Sequence, residues 1–241
     1  MTTETLKLAE VVEQIIPDTL TESGSFICEN CGYRLKHRDK TGLRRWCKRC
    51  IDIYYRKENL KTEEAEQIIV GEVGKLYASA DLSDIGEEIR NKLLGLGAGQ
   101  DVYMFGYVGT GKTFTMAALL RHYVYQGFEC VRLNFDDFLV RVRSTMSPAS
   151  KMTEHEMIKP LKSVDKLFID DLGLKSIAET DFAYGTFYSI LNKRQERMLP
   201  TFITTNKTIE RLSHSFDIRI ESRLKTALII ELKGEDRRLL K

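Results

Sequence analysis

Residues 106–113 read GYVGTGKT, a match to G-x-x-x-x-G-K-T. The stretch joins the apolar run VYMFG (102–106), which reads as a strand, to a stretch from Lys112 to Gln126 that reads as a helix. This context constrains the fold more than any other feature of the chain. A phosphate loop needs a strand that ends in a tight glycine turn and a helix that starts on the lysine, because the loop's N–H groups and the positive helix end together hold phosphate oxygens. Gly106, Gly109 and Gly111 permit backbone angles and close approaches that a side chain would block. The expected nucleotide contacts are Gly106, Gly109, Thr110, Gly111, Lys112, Thr113 and Phe114. Lys112 is expected to reach the β- and γ-phosphates as a point charge, and Thr113 to offer its hydroxyl to Mg²⁺. A bare glycine-rich turn with an exposed lysine would explain neither the strand before it nor the helix after it.

From Asp101 onward, short apolar runs alternate with longer helical stretches. CVRLNF (130–135), KLFID (166–170), TFITTN (201–206) and ALIIEL (227–232) read as further strands; helices are expected from Asp136 and over Phe182–Arg197. Strands separated by helices predict an α/β fold, a parallel sheet covered on both faces. The aromatic group Phe182, Tyr184, Phe187 and Tyr188 reads as helix packing rather than a base-stacking site. Upstream, Leu6, Ala9, Val12 and Ile16 form a helical stripe that Pro17 ends. The stretch from Asp52 to about Leu94 reads as charged helix broken near Gly71 and Gly74. The expected organisation is an N-terminal module over residues 1–61, a helical linker over 62–98 and a nucleotide-binding domain over 99–241.

LFIDDLG (167–173) is an apolar strand ending in two acids, the Walker B pattern. Asp170 is expected to hold the Mg²⁺ shell and Asp171 to orient or deprotonate the attacking water. Glutamate usually fills that second place. Asp171 is one methylene shorter, which points to slow turnover or to a rearrangement. Asn206, at the end of the next strand, can touch both the γ-phosphate and the attacking water; Thr204 and Thr205, being β-branched, fit simply as strand residues. In FDIRIESRL, Arg219 and Arg223 stand four apart on one helix face. They read either as surface ion-pair partners or as a finger completing a neighbour's site. Arginine suits the second role because it stays charged and binds phosphate in a planar fork. Arg223 is the first candidate.

Cys28 and Cys31 form one C-x-x-C and Cys47 and Cys50 another, with 15 residues between the pairs. This is the spacing of a zinc ribbon or knuckle, and a closed four-thiolate site is structural because no position stays open for water. Cys130 is expected to be a buried thiol, and His37 a surface residue. Net charge is only +2, but ten Lys or Arg face two acids between Arg34 and Lys57. Four thiolates around one Zn²⁺ carry net negative charge, so these cations can neutralise the metal core. They can equally touch nucleic-acid phosphate or an acidic partner. Trp46 and Tyr33 can stack on bases or cover the zinc core. Arg141, Arg143 and Lys151 border a polar segment that can line a path for single-stranded DNA or be a solvated loop.

The set GYVGTGKT, LFIDDLG, TFITTN and DIRIESRL, at these separations, resembles the AAA+ ATPases that load replicative DNA helicases, the DnaC/DnaI group; the transposition helper IstB has a similar core. The resemblance covers roughly residues 75–241. It implies an AAA+ sheet without a separate lid domain, ATP hydrolysis stimulated by assembly or DNA, a homo-oligomer, a replicative helicase gripped by the N-terminal domain and single-stranded DNA bound by the ATPase domain. LKGEDRRLLK at the end of the chain looks like the family's C-terminal sensor segment, with Arg238, or Arg237 if the register slips, as the sensor. The cysteine module looks like the zinc-containing N-terminal domain of the DnaI-type loaders. The other functions open on these residues are a transposition helper and a nucleotide-gated adaptor with little turnover.

Two classes are not expected. No apolar run approaches the roughly 20 residues that span a bilayer, and the N-terminus lacks the basic start, apolar core and cleavage site of a secretion signal. A cytoplasmic location without membrane partners is expected, where cysteines serve metals or stay as thiols rather than forming disulfides.

Overall fold

The structure, a computed structural model, describes residues 26–28, 31–32, 34–35, 47–147, 150–173, 180–213, 218–234 and 236. The expected helix over 3–16, Tyr33, His37, Trp46, most of the basic loop, Arg237 and Arg238 lie outside the described residues. The chain divides into two compact units, Met1–Asp52 and Ile53–Lys241. In the first, β1 (Phe26–Ile27) pairs antiparallel with β2 (Arg34–Leu35); α1 (Lys48–Asn59) begins directly after Cys47 and its residues from Ile53 on belong to the second unit.

After the end of α1 the second unit continues with α2 (Thr62–Val73) and α3 (Glu87–Leu94). Gly71 does not break α2; the helix runs through it and stops at Gly74, where φ is +74°. The apolar stripe Ala65, Ile69 and Val73 is buried and secures the helix against the cost of an interior glycine, about 1 kcal/mol. The segment read as a linker therefore shares a core with the nucleotide-binding domain: Leu82, Ile85 and Leu93 are buried in the same cluster as the sheet residues Val102, Met104 and Phe168.

The sheet comprises β3 (Val102–Phe105), β4 (Cys130–Asn134), β5 (Lys166–Asp170), β6 (Thr201–Thr205) and β7 (Leu228–Glu231), in the order β4-β5-β6-β3-β7. Every pairing is parallel. Both β5 and β6 are buried along their whole length, which explains why they read as continuous runs rather than alternating ones. The connections run through α4 (Lys112–Tyr125), α5 (Phe135–Ser144), α6 (Glu154–Ile158), α7 (Thr180–Glu196), α8 (Ile209–Ser213) and α9 (Ile218–Leu224). One face packs Val102, Met104, Phe168 and Phe202 against Met116, Leu119 and Leu120 of α4 and the stripe of α2. The other packs Tyr103, Leu167, Ile169 and Ile203 against Phe135, Phe187, Leu191 and Leu224. Among the described residues, no helix is long and apolar enough to cross a membrane.

The start of this sheet is riveted by a fully buried arginine. Arg194 donates to the carbonyls of Leu161 (2.7 Å), Val164 (2.8 Å) and Pro200 (2.7 Å), and its Nε to Thr201 Oγ1 (3.1 Å). Beside it the buried Asp101 accepts from the Thr201 N–H at 2.6 Å and from Gln195 at 2.8 Å. Burial raises the Asp101 carboxyl above its usual range, against the pull of these donors. Arg194→Leu leaves several buried carbonyls without a donor, so we expect a loss of about 3 kcal/mol or more. Urea unfolding should show a lower midpoint at an unchanged slope.

Candidate functional site

The order of the strands places β6 between β3 and β5, so the loop after β3, the end of β6 and the acids of β5 lie side by side at the carboxyl edge of the sheet. That edge is where parallel α/β sheets present ligand sites. The loop has the backbone the motif demands. Gly109 has φ +79° and Gly111 +94°, the latter directly before the first turn of α4. A Cβ on Gly106 would stand 2.3 Å from the Leu232 carbonyl oxygen, so no larger residue fits there without movement. Lys112, 8% exposed, curls back and donates to the carbonyls of Gly106 (2.9 Å) and Tyr107 (2.7 Å). Thr110 Oγ1 donates to the same Tyr107 carbonyl at 2.9 Å. Phe114 is half-buried against the α4 side of the core. The carboxylate of Asp236 lies against Gly109, an approach with no signal in the sequence.

Asp170 is the hub of the site. It is 4% exposed, and its Oδ1 accepts from Thr204 Oγ1 at 2.5 Å and from Thr113 Oγ1 at 3.3 Å. Its Oδ2 is held by the guanidinium of Arg132 on β4. Arg132 is in turn tied to α2: its backbone N–H donates to Glu72 Oε2 at 2.6 Å and its Nη1 to the Glu72 carbonyl at 3.4 Å. Burial raises the Glu72 carboxyl, opposed by the Arg132 N–H. The sequence alone marks neither Arg132 nor Thr204 as a partner of this acid. Thr204, expected as a plain strand residue, also accepts the Asp171 N–H at 2.9 Å through its hydroxyl, and its carbonyl accepts the Leu172 N–H at 2.7 Å. A hydroxyl on the strand next to a two-acid strand end is the signal that could have found it.

Asp171 follows in the left-handed region, φ +54°, with its side chain exposed. Such a conformation costs a non-glycine residue on the order of 1 kcal/mol and persists because the neighbours fix it. Asn206 Nδ2 approaches Asp171 Oδ1 at 3.4 Å. The structure therefore brings Lys112, Thr113, Asp170, Asp171 and Asn206 to one edge.

Arg219 and Arg223 sit elsewhere, on the aromatic face of α7. Tyr184 and Tyr188 stack with ring centroids 5.7 Å apart, and Arg219 lies 5.4 Å over each ring. Arg223 lies 4.6 Å over Tyr188, donates to its hydroxyl at 3.0 Å and bonds Asn192. Phe187 of the same group is fully buried in the core. Arg143 covers Phe182 at 5.3 Å, while Arg141 and Lys151 are exposed. Cys130 is a buried thiol, its titration pushed up by burial.

The four remaining cysteines meet in the first unit. Their sulfurs all lie within 4.8 Å of one another. Cys28 and Cys50 are 3.7 Å apart, as are Cys31 and Cys47. A tetrahedron with metal–sulfur distances near 2.3 Å has edges of about 3.8 Å, so the spacing suits a thiolate-bound ion. The Cys47 N–H donates to Cys28 Sγ at 3.1 Å, and Gly32, φ +69°, closes the first knuckle with its N–H on the Cys28 carbonyl at 2.7 Å.

The residues at the sheet edge also fit their implied ligands: a loop with left-handed glycines directly before a helix N-terminus, a lysine amine folded onto it, and a hydroxyl facing a buried carboxylate, oxygen donors of the kind hard cations take. Comparison with known proteins agrees. The family described as IstB-like ATP binding protein matches residues 94–235. The chain is 28% identical over 157 residues to the replicative helicase loader DnaI of Bacillus subtilis (strain 168), covering 59% of this chain and 49% of that protein. It is 25% identical over 149 residues to the replicative helicase loader DnaC of Buchnera aphidicola subsp. Schizaphis graminum, covering 62% and 54%. The chain thus spans about half the length of the curated relatives it matches. Among solved structures, one of DnaI superposes with TM-score 0.54 at 26% identity, covering 72% of this chain and 93% of that one. The DnaC helicase loader superposes with TM-score 0.56 at 20% identity, covering 66% and 99%, a likeness of fold. The sheet is accordingly an AAA+-like ATP-binding domain.

Two outcomes are expected. Thr204→Val removes the hydroxyl from Asp170 and Asp171 together. Nucleotide affinity should weaken about tenfold in the presence of Mg²⁺ and little in its absence, read by titration with a fluorescent nucleotide. The purified chain should carry one zinc per molecule by elemental analysis, and Cys47→Ser should release it while the second unit keeps its folded signature.

Proposed function

We propose that this chain, which belongs to the IstB-like ATP-binding protein family, is an ATP-dependent helicase loader in DNA replication. The observation that carries the reading is the 28% identity to a protein named as a replicative helicase loader, and the approach of the Thr113 hydroxyl to Asp170 at 3.3 Å supports it. Lys112 and the loop N–H groups bind the β- and γ-phosphates. Thr113 and Asp170 hold the cation, and Asp171 takes up or orients the proton of the attacking water. Asn206 senses the γ-phosphate beside Asp171. Bound Mg²⁺ supplies charge neutralisation on the phosphate oxygens. The left-handed Asp171, with its short side chain, argues for slow turnover that an assembled state accelerates.

Arg223, with Arg219 beside it, acts as a finger toward a neighbouring copy, and Arg238 as the second sensor. The tyrosine face of α7 presents both finger candidates as a pair. The four cysteines hold a structural Zn²⁺ in a domain that grips the replicative helicase, and Arg141 and Lys151, both exposed, contribute to single-stranded DNA binding. The family description supports a second reading, a transposition helper built on the same core.

The test joins partner and finger. The full chain should capture the replicative helicase of its host, and Arg223→Ala should keep nucleotide affinity while lowering hydrolysis in the assembled state about a hundredfold or more. No helicase captured, with a transposase stimulated instead, transfers the assignment to the second reading. Full hydrolysis by the Arg223→Ala assembly assigns that residue to its packing on Tyr188 and its bond to Asn192.

A further inference from the structure

The pairing of Arg132 with Asp170 has no counterpart in the nucleotide chemistry of the phosphate loop. Arg132 lies inside β4, opposite Phe168 of β5, and two residues short of the pairing of Asn134 with Asp170. An arginine on an edge strand has open solvent available for its head group. This one turns inward instead: its side chain is 22% exposed, and its Nε is buried with no hydrogen-bond acceptor among the described residues. An orphaned N–H is unfavourable. The guanidinium is kept there by Asp170 Oδ2 and by the Glu72 carbonyl.

The two oxygens of Asp170 are thereby divided. Oδ2 belongs to Arg132, and Oδ1 faces the hydroxyls of Thr204 and Thr113. Lys112 is engaged with the Gly106 and Tyr107 carbonyls of the loop, so the cation paired directly with Asp170 is Arg132. The pair neutralises the Asp170 charge, which weakens its pull on a free divalent cation, and the negative charge of a triphosphate adds the missing attraction.

We propose that Arg132 is a positioning residue that holds Asp170 Oδ1 toward Thr113 and, as a resident countercharge, keeps free divalent cations out until a nucleoside triphosphate brings one in. The inference rests on the reading of this edge as a magnesium–nucleotide site. Its anchors on Glu72 place the guanidinium at the C-terminal end of α2, so the order of ligand entry depends on a helix outside the phosphate motifs.

The test measures Mn²⁺ binding to the zinc-loaded full chain without nucleotide, by electron paramagnetic resonance of the free ion. The wild type should show no saturable site below millimolar Mn²⁺. Arg132→Gln should gain one, with affinity raised at least about tenfold. The gain should vanish in the double variant Arg132→Gln/Asp170→Asn, and Arg132→Lys, which keeps the charge, should behave as the wild type. Equal binding by wild type and Arg132→Gln, or a gain that survives Asp170→Asn, overturns the proposal. A micromolar Mn²⁺ site in the wild type that Asp170→Asn abolishes overturns it too, even if Arg132→Gln does not fold. Binding of Mn²⁺–ATP by the wild type is measured alongside. If it succeeds while Arg132→Gln shows no gain, only the role of Arg132 falls; if it fails, the nucleotide reading falls and takes this proposal with it.

Discussion

One buried carboxylate organises the carboxyl edge of the sheet. Asp170 receives the Thr204 hydroxyl from the neighbouring strand at 2.5 Å, the Thr113 hydroxyl from the first turn of α4 at 3.3 Å and the Arg132 guanidinium from β4. Two of these contacts depend directly on the strand order, because β5 must lie between β4 and β6 for Arg132 and Thr204 both to stand beside Asp170. A buried carboxylate without such partners would be strongly unfavourable. The fold and the site are thus one arrangement, and what satisfies the acid also aims it at the phosphate loop.

Features fixed by local chemistry were legible in the sequence. The loop declares itself because glycines at 106, 109 and 111 and a lysine at 112 answer to one physical need, inward N–H groups with no side chain in the way. KLFID was legible as a strand because apolar residues run unbroken into an acid. The cysteine spacing predicted a cluster whose sulfurs stand at tetrahedral separations. Features made by pairing distant segments were not legible. Arg132 lies 38 residues from Asp170 in the chain, and nothing local distinguishes it from a surface arginine. Thr204 reads as a strand residue because it is one; its second role comes from its neighbours. Gly71 suggested a break that the buried stripe of α2 overrides.

The tyrosines of α7 show how a correct reading can be incomplete. They do pack, as their helical spacing suggests, but they pack against arginines as well as against the core. A guanidinium on an aromatic face keeps its charge while losing freedom. That is the state of both arginines against α7 in this structure. The same economy appears at Asp171, whose strained backbone is held by the hydroxyl that also serves Asp170.

Every role given to this edge depends on whether the loop recognises the terminal phosphates of a nucleotide. The most direct measurement is calorimetric titration of the zinc-loaded chain with Mg²⁺–ATP and, separately, with AMP. The arrangement of Lys112 and the loop glycines predicts one saturable site for ATP and affinity for AMP weaker by at least about a hundredfold, since AMP lacks the β- and γ-phosphates. Equal affinity for both, or no heat with either, would contradict it.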